Sequence, residues 1–209
     1  MKTYLDKNVY EAALERIAYC FQEFDNVLVA FSGGKDSGVL LNLCYNYADE
    51  HGLLDKLTMY HLDYEAQYQM TTEYVTRTFL EQFPGIRKMW YCVPIKAQSA
   101  CALGEPYWTP WDAAKKKLWV RAMPENPYVV HEGNLDVPFR HGMVDYEFQD
   151  KLSRHFAKKR GTTAVMVGLR ADESLNRYAA VARGKKRRSY EGRKWITQTS
   201  AVTANVYPL

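Results

Sequence analysis

Val27-Leu28-Val29-Ala30-Phe31-Ser32-Gly33-Gly34-Lys35-Asp36-Ser37 is the stretch on which the fold turns. Its first five residues form a continuous apolar run with valines and an aromatic ring, the pattern of a parallel strand buried on both faces. Beyond it Val39, Leu40, Leu43, Cys44 and Tyr47 recur at helical spacing. The hexapeptide Ser32 to Ser37 is therefore a strand-to-helix turn. Its glycines allow a tight bend and a close backbone approach to a ligand, its serines add hydroxyls, and the first free N–H groups of the helix face the same place. A phosphate is the natural occupant.

Two better-known phosphate loops do not fit. A Walker A loop has Ser or Thr directly after Gly-Lys, where this chain has Asp36, and a dinucleotide fingerprint has a third glycine where this chain has Ser37. What stands here, Ser-Gly-Gly-Lys-Asp-Ser, resembles the pyrophosphate loop of the adenine nucleotide α-hydrolase-like superfamily. The resemblance implies a grip on the phosphates of ATP or of a sulfonucleotide. The plainer alternative is a glycine-rich turn with no ligand.

The chain has 209 residues, enough for one α/β domain with an inserted segment, and its 47% hydrophobic and 25% charged residues are ordinary for a globular protein. No apolar run approaches a membrane span, and Met1-Lys2-Thr3-Tyr4-Leu5-Asp6 lacks a signal-peptide core, so a cytoplasmic protein without membrane partners is expected. Cys20, Cys44, Cys92 and Cys101 form no Cys-x-x-Cys pair, so neither zinc nor an iron-sulfur cluster is signalled and buried reduced thiols are expected. The net charge of +4 is concentrated, with seven cations between Arg183 and Lys194. Such a run is a solvated loop or an arm for polyphosphate or nucleic acid.

In chain order, Val9, Ala12, Ala13, Ile17, Cys20 and Phe24 mark a helix before the first strand. Leu57 to Leu62 reads as a second strand, followed by a helix through Thr71 to Gln82 and a third strand over Lys88 to Val93. Strand, helix, strand in so short a span predicts an α/β fold: a Rossmann-like, doubly wound parallel sheet with helices on both faces and ligands at the carboxyl ends of its strands. The second strand exits through Asp63-Tyr64-Glu65-Ala66-Gln67-Tyr68, where Asp63 and Glu65 could contact ribose, adenine or a phosphate-bound Mg²⁺, or simply form a polar strand exit. From about 94 to 142 periodicity disappears, and the stretch reads as an aromatic-rich insertion. Trp108-Thr109-Pro110-Trp111-Asp112 could wall a pocket or form the insertion's own small core. His131 and His141 are isolated and signal little.

Asp145 to Arg160 reads as a helix with Tyr146 or Phe148, Leu152 and Phe156 inward, and Thr163 to Val167 as another buried strand. Its exit, Gly168-Leu169-Arg170-Ala171-Asp172-Glu173-Ser174-Leu175-Asn176-Arg177, brings two guanidiniums and two carboxylates to a strand's carboxyl end. Arg170 and Arg177 read as anion clamps by their fork geometry, while Asp172 and Glu173 could orient them or, with Asp36, hold Mg²⁺; a salt-bridged loop is the plainer alternative.

Ser32 to Ser37, the Asp63 to Tyr68 exit, Gly168 to Arg177 and the terminal Val206-Tyr207-Pro208-Leu209 together resemble the phosphoadenosine phosphosulfate reductase family. Trp108 to Asp112 and Leu118 to Pro124 look closest to the branch that includes immunoglobulin-binding regulator A. The resemblance implies one nucleotide-binding domain over 1–209, with a carboxyl-terminal extension found in relatives not included. It also implies that Ser32, Gly33, Gly34, Lys35, Asp36, Ser37 and Gly168 hold the nucleotide and that Arg170 and Arg177 close over it. Lys35, Asp36 and Arg170 are then the catalytic candidates. Reductases of this family use a cysteine in a Glu-Cys-Gly-Leu-His-like tail, and none of the four cysteines stands in that context.

The leading expectation is an adenine-nucleotide-binding protein, with ATP or 3′-phosphoadenosine 5′-phosphosulfate as ligand, working at the phosphate or sulfate end by nucleotidyl or sulfur transfer. A regulatory nucleotide-binding module acting with a protein partner, or as a homo-oligomer, is the alternative. Nucleic-acid sulfur modification, with Arg183 to Lys194 as the arm on the backbone, is the third.

Overall fold

In the computed structural model, residues 6, 8–99, 104–169 and 175 are described in full, and 194–197 and 203–207 as backbone. The chain opens with α1 (Val9–Glu23), which starts where Asn8 and Glu11 cap each other. The Glu11 N–H donates to Asn8 Oδ1 at 2.9 Å and the Asn8 N–H to Glu11 Oε2 at 3.0 Å, satisfying two donors the helix cannot. Then come β1 (Asn26–Ala30), α2 (Lys35–Glu50), β2 (Leu57–Leu62), α3 (Gln69–Glu81) and β3 (Arg87–Cys92). A two-strand ladder of β4 (Ala97–Gln98) and β5 (Tyr107–Trp108) precedes β6 (Val129–His131), α4 (Asp145–Arg160), β7 (Thr163–Val167), β8 (Lys194–Thr197) and β9 (Thr203–Tyr207).

Seven strands pair in the order β6-β3-β2-β1-β7-β9-β8; the first five run parallel, β9 runs against β7, and β8 pairs antiparallel with β9. β1 is central, in register with β2 through Val27 and Leu57 and with β7 through Asn26 and Thr163. Successive strands β2, β3 and β6 extend one way from β1, and β7 lies on its other side. The connections after β1 and β7 therefore part at the carboxyl edge, which makes a topological switch point.

Alternation of β1 explains why both faces are covered. Val27, Val29 and Phe31 join Ile17 and Phe21 of α1, Leu40, Leu41 and Cys44 of α2, and Val75 and Phe79 of α3 in one core. Leu28 faces the other core, with Tyr91, Phe148, Leu152, Phe156 and Val165. Each fully buried Val or Leu in these layers contributes roughly 1.5–3 kcal/mol. On α4 the inward ring is Phe148, fully buried, whereas Tyr146 is 73% exposed.

The stretch 94–142 is more regular than its composition suggests. Its β6 adds a parallel edge strand to the main sheet, with Trp90 opposite Val129 and Cys92 opposite His131. The insertion is thus stitched into the domain. Among the described residues no helix is long and apolar enough to cross a membrane.

Candidate functional site

The loop between β1 and α2 is braced by its own serines. The Ser37 hydroxyl donates to the Gly34 carbonyl at 2.9 Å, so its oxygen is left to accept from the Ser32 N–H at 3.2 Å and from the Ser32 hydroxyl at 3.0 Å. Ser32 Oγ in turn accepts from the Gly34 N–H at 3.3 Å. This ring of bonds fixes the loop without using the first N–H groups of α2. Gly34 is the N-cap of α2 and no side chain caps the helix. Amide donors and the positive end of a sixteen-residue helix thus meet solvent beside Ser32, Gly34 and Lys35, all exposed. Lys35 is 75% exposed at its side chain, with Nζ 3.1 Å from Asp36 Oδ1.

Three glycines reveal what surrounds this opening. Gly33 has φ +80°, and a Cβ there would stand 2.7 Å from Val75 Cγ2 and 2.9 Å from Thr71 Cγ2. Its close approach is to α3, whereas the sequence suggested an approach to a ligand. Gly34 lies in ordinary extended backbone, and a Cβ there would meet little beyond Ser32 Oγ at 3.3 Å. Gly168, at the exit of β7, would place a Cβ 2.9 Å from the Asp36 carbonyl carbon and oxygen and from the Ser37 nitrogen. The β7 exit rests on the first turn of α2. The structure therefore brings Ser32 to Ser37 and Gly168 together along one edge, with α3 packed against Gly33. Arg170, Asp172, Glu173, Arg177, the basic positions from Arg183 to Arg193, and Cys101 lie outside the described residues.

Asp63 and Glu65, expected as nucleotide contacts, are placed differently. Asp63 is fully buried, and its carboxylate accepts from Arg121 Nη2 at 2.6 and 2.7 Å, from Trp90 Nε1 at 2.7 Å and from the Glu65 N–H at 2.7 Å. Glu65 is 4% exposed, and its two oxygens accept the N–H groups of Trp111 and Val120, each at 2.8 Å. Arg121 Nε donates to the Glu65 carbonyl at 2.9 Å, and Trp111 Nε1 to the Asp63 carbonyl at 2.9 Å. Both carboxylates hold the insertion onto the end of β2. Trp111, 2% exposed, packs edge-on against Trp119 at 5.2 Å within the main core, so it belongs to the framework. Nothing in the sequence around Arg121 marks it as the partner of either acid.

Other titratable groups are set by burial. Cys20, Cys44 and Cys92 are free and buried; desolvation pushes the Cys20 thiol up to about 11 and raises the other two further. Thiols so raised stay protonated at neutral pH and are poor nucleophiles. His61, fully buried on β2, has Nδ1 2.8 Å from the Phe31 carbonyl, the last backbone group before the loop. Among the described residues no group of three or more His, Cys, Asp or Glu could hold a metal ion.

Comparison with known proteins agrees with this architecture. Residues 26–209 match the phosphoadenosine phosphosulfate reductase domain. A relative from Escherichia coli strain K12, the uncharacterized protein YbdN, is 32% identical over 195 residues, which cover 92% of this chain and 46% of the relative. The chain thus spans about half the length of the curated relative it matches. The domain match begins at the first residue of β1 and takes in the loop, the switch point and every strand of the sheet, and the chain belongs to the phosphoadenosine phosphosulfate reductase family.

Proposed function

We propose that the edge formed by Ser32 to Ser37 and Gly168 binds an adenine nucleotide through its phosphates and that the chain acts at the phosphate or sulfate end of ATP or a sulfonucleotide. The observation that carries this reading is the uncapped N-terminus of α2, open to solvent at the switch point between β1 and β7. Backbone amides there donate to phosphate oxygens, and the helix dipole adds a favourable field. The serine ring keeps these donors fixed before the ligand arrives, so little reorganisation accompanies binding.

Lys35 supplies the mobile positive charge. In nucleotidyl transfer, an acceptor's lone pair forms a bond to the α-phosphorus while the bond to the bridging oxygen breaks, and pyrophosphate leaves with that electron pair. Lys35 and the amides offset the charge that builds on the leaving group. Arg170 and Arg177 are assigned to the opposite side of the phosphates. Asp36 is the described carboxylate of the loop. Together with Asp172 and Glu173, which lie outside the described residues, it would hold a Mg²⁺ ion riding on the nucleotide's phosphate oxygens. Asp63 and Glu65 serve indirectly, by fixing the β2 exit.

Thermal unfolding with ATP and with 3′-phosphoadenosine 5′-phosphosulfate, beside a turnover assay, tests the reading. Ligand at 100 times its Kd stabilises the native state by about 2.7 kcal/mol. Lys35→Ala combined with Arg170→Ala should abolish that shift. No shift with either nucleotide in the parent protein would overturn the assignment, and binding without product would favour a regulatory module.

A further inference from the structure

Away from the loop, the insertion lines two adjoining open cavities of about 760 and 440 Å³ that share Lys116, Trp119, Met123 and His131. Together they form one groove between the turn of helix at Ala113–Leu118 and the carboxyl end of β6. Each cavity is of a size that holds a small molecule. Trp119 and Met123 give it an apolar wall. Three side chains with nitrogen donors of different kinds, Lys116, Arg121 and His131, line it.

Arg121 lines the larger cavity with its guanidinium already immobilised, since Nη2 and Nε are bound to Asp63 and to the Glu65 carbonyl and the plane lies 4.8 Å over the Trp111 ring. Nη1 has no protein partner among the described residues. His131 Nδ1 accepts the Gly133 N–H at 3.1 Å, so the neutral ring carries its proton on Nε2 and offers it as a donor. Lys116 pairs with no carboxylate among the described residues, and its Nζ is 5.8 Å from the Trp119 ring. Glu125 and Glu132 also line the groove, but both are exposed, and Glu132 faces His141 at 3.9 Å. Solvent screens the exposed carboxylates, as it does the exposed Lys116, whereas Arg121 and His131, half-buried beside an aromatic wall, act at closer to full strength.

We propose that this groove is a second ligand site, separate from the phosphate loop, for a small organic molecule that joins a planar apolar body to an anionic oxygen group. Carboxylate and phosphate share the chemistry Arg121, His131 and Lys116 recognise. The claim does not depend on the nucleotide reading.

Calorimetry on the whole chain with benzoate, phenyl phosphate and the uncharged benzyl alcohol tests it. Saturable binding of benzoate or phenyl phosphate is expected, with benzyl alcohol at least tenfold weaker, and the stronger of the two anions tells carboxylate from phosphate. Lys116→Ala, at an exposed position that does not threaten folding, should weaken the preferred anion several-fold, and His131→Ala with it roughly tenfold or more. His131→Gln, which keeps a side-chain N–H donor, should recover part of the loss. ATP affinity should be unchanged in all three variants, so a failed nucleotide reading leaves this result standing. Equal affinity for charged and uncharged probes, no saturable binding of either anion, or full affinity in the double variant would each overturn the proposal.

Discussion

The β1 and β2 exits stand side by side on one sheet edge, and each presents polar residues just after an apolar strand, yet they are furnished for opposite ends. After β1 the serines satisfy one another and leave helix amides, Lys35 and Gly34 facing solvent. After β2 the carboxylates of Asp63 and Glu65 are buried and saturated by Arg121, Trp90, Trp111 and Val120. The difference lies in where spare hydrogen-bonding capacity is left. A polar strand exit with unspent, exposed donors is poised for a ligand, whereas one whose carboxylates are matched inside the protein is a joint.

The joint should fail hardest. Arg121→Ala leaves the fully buried Asp63 carboxylate without its cation, a change that typically costs about 3–5 kcal/mol. Urea unfolding should show that loss, and a cost under about 1 kcal/mol would mean that the latch is not what holds the insertion. A double substitution with Asp63→Leu should recover part of the stability by removing the orphaned charge.

Next in size is Gly168→Ala, which forces a Cβ to 2.9 Å from the backbone of Asp36 and Ser37. None of these atoms belongs to a flexible side chain, so the β7 exit or the start of α2 must shift, at roughly 1–3 kcal/mol. Nucleotide-induced stabilisation should fall with it. Gly34→Ala is the control within the same loop: its φ is −83° and its Cβ would meet only Ser32 Oγ at 3.3 Å, so stability should change little. If both alanines behave alike, close packing between β7 and α2 does not shape the loop.

Much of this contrast is hidden in the sequence, for reasons that differ by element. The sheet is legible because β1, β2 and β7 are buried on both faces, and a short continuous apolar run bounded by turn residues fits little except a covered strand. The strand β6 is not: three half-buried residues at a sheet edge carry no period. The loop is legible because its bonds run between residues at most five apart, as with Ser32 and Ser37. The joint is not, since Arg121 reaches Asp63 across 58 positions and Trp111 reaches Glu65 across 46. Asp63 and Glu65 stand out in the sequence as acids at a strand exit, but a carboxylate's type says nothing about which donor will meet it.

A smaller effect separates bracing from binding. Ser37→Ala removes the hydroxyl that joins Gly34 and Ser32. Each ordinary hydrogen bond contributes about 1 kcal/mol, so stability should drop by that order. The nucleotide shift should drop too, since the amides lose their fixed placement. Unchanged binding in a destabilised variant would show that the serine ring supports the fold and not the ligand.

The smallest effect at neutral pH, and one that grows only in acid, belongs to the side chain between the two exits. His61 donates from Nδ1 to the Phe31 carbonyl on the loop side and neighbours Asp63 on the other. Burial holds its imidazolium form down below the ordinary 6.5, against the opposing pull of Asp63, the Phe31 carbonyl and Gln67. The unfolded chain therefore takes up a proton on this residue at a higher pH than the folded chain does. Its contribution to stability is complete above about pH 6.5 and falls as pH drops from there through the depressed folded value, because protons draw the equilibrium toward the unfolded state. Denaturant titrations from pH 8 to pH 5 should show that decline, and His61→Gln should flatten it while leaving neutral-pH stability less affected than Arg121→Ala does. If the slope persists unchanged in the variant, the acid sensitivity resides in other histidines, and the two exits are not linked through β2.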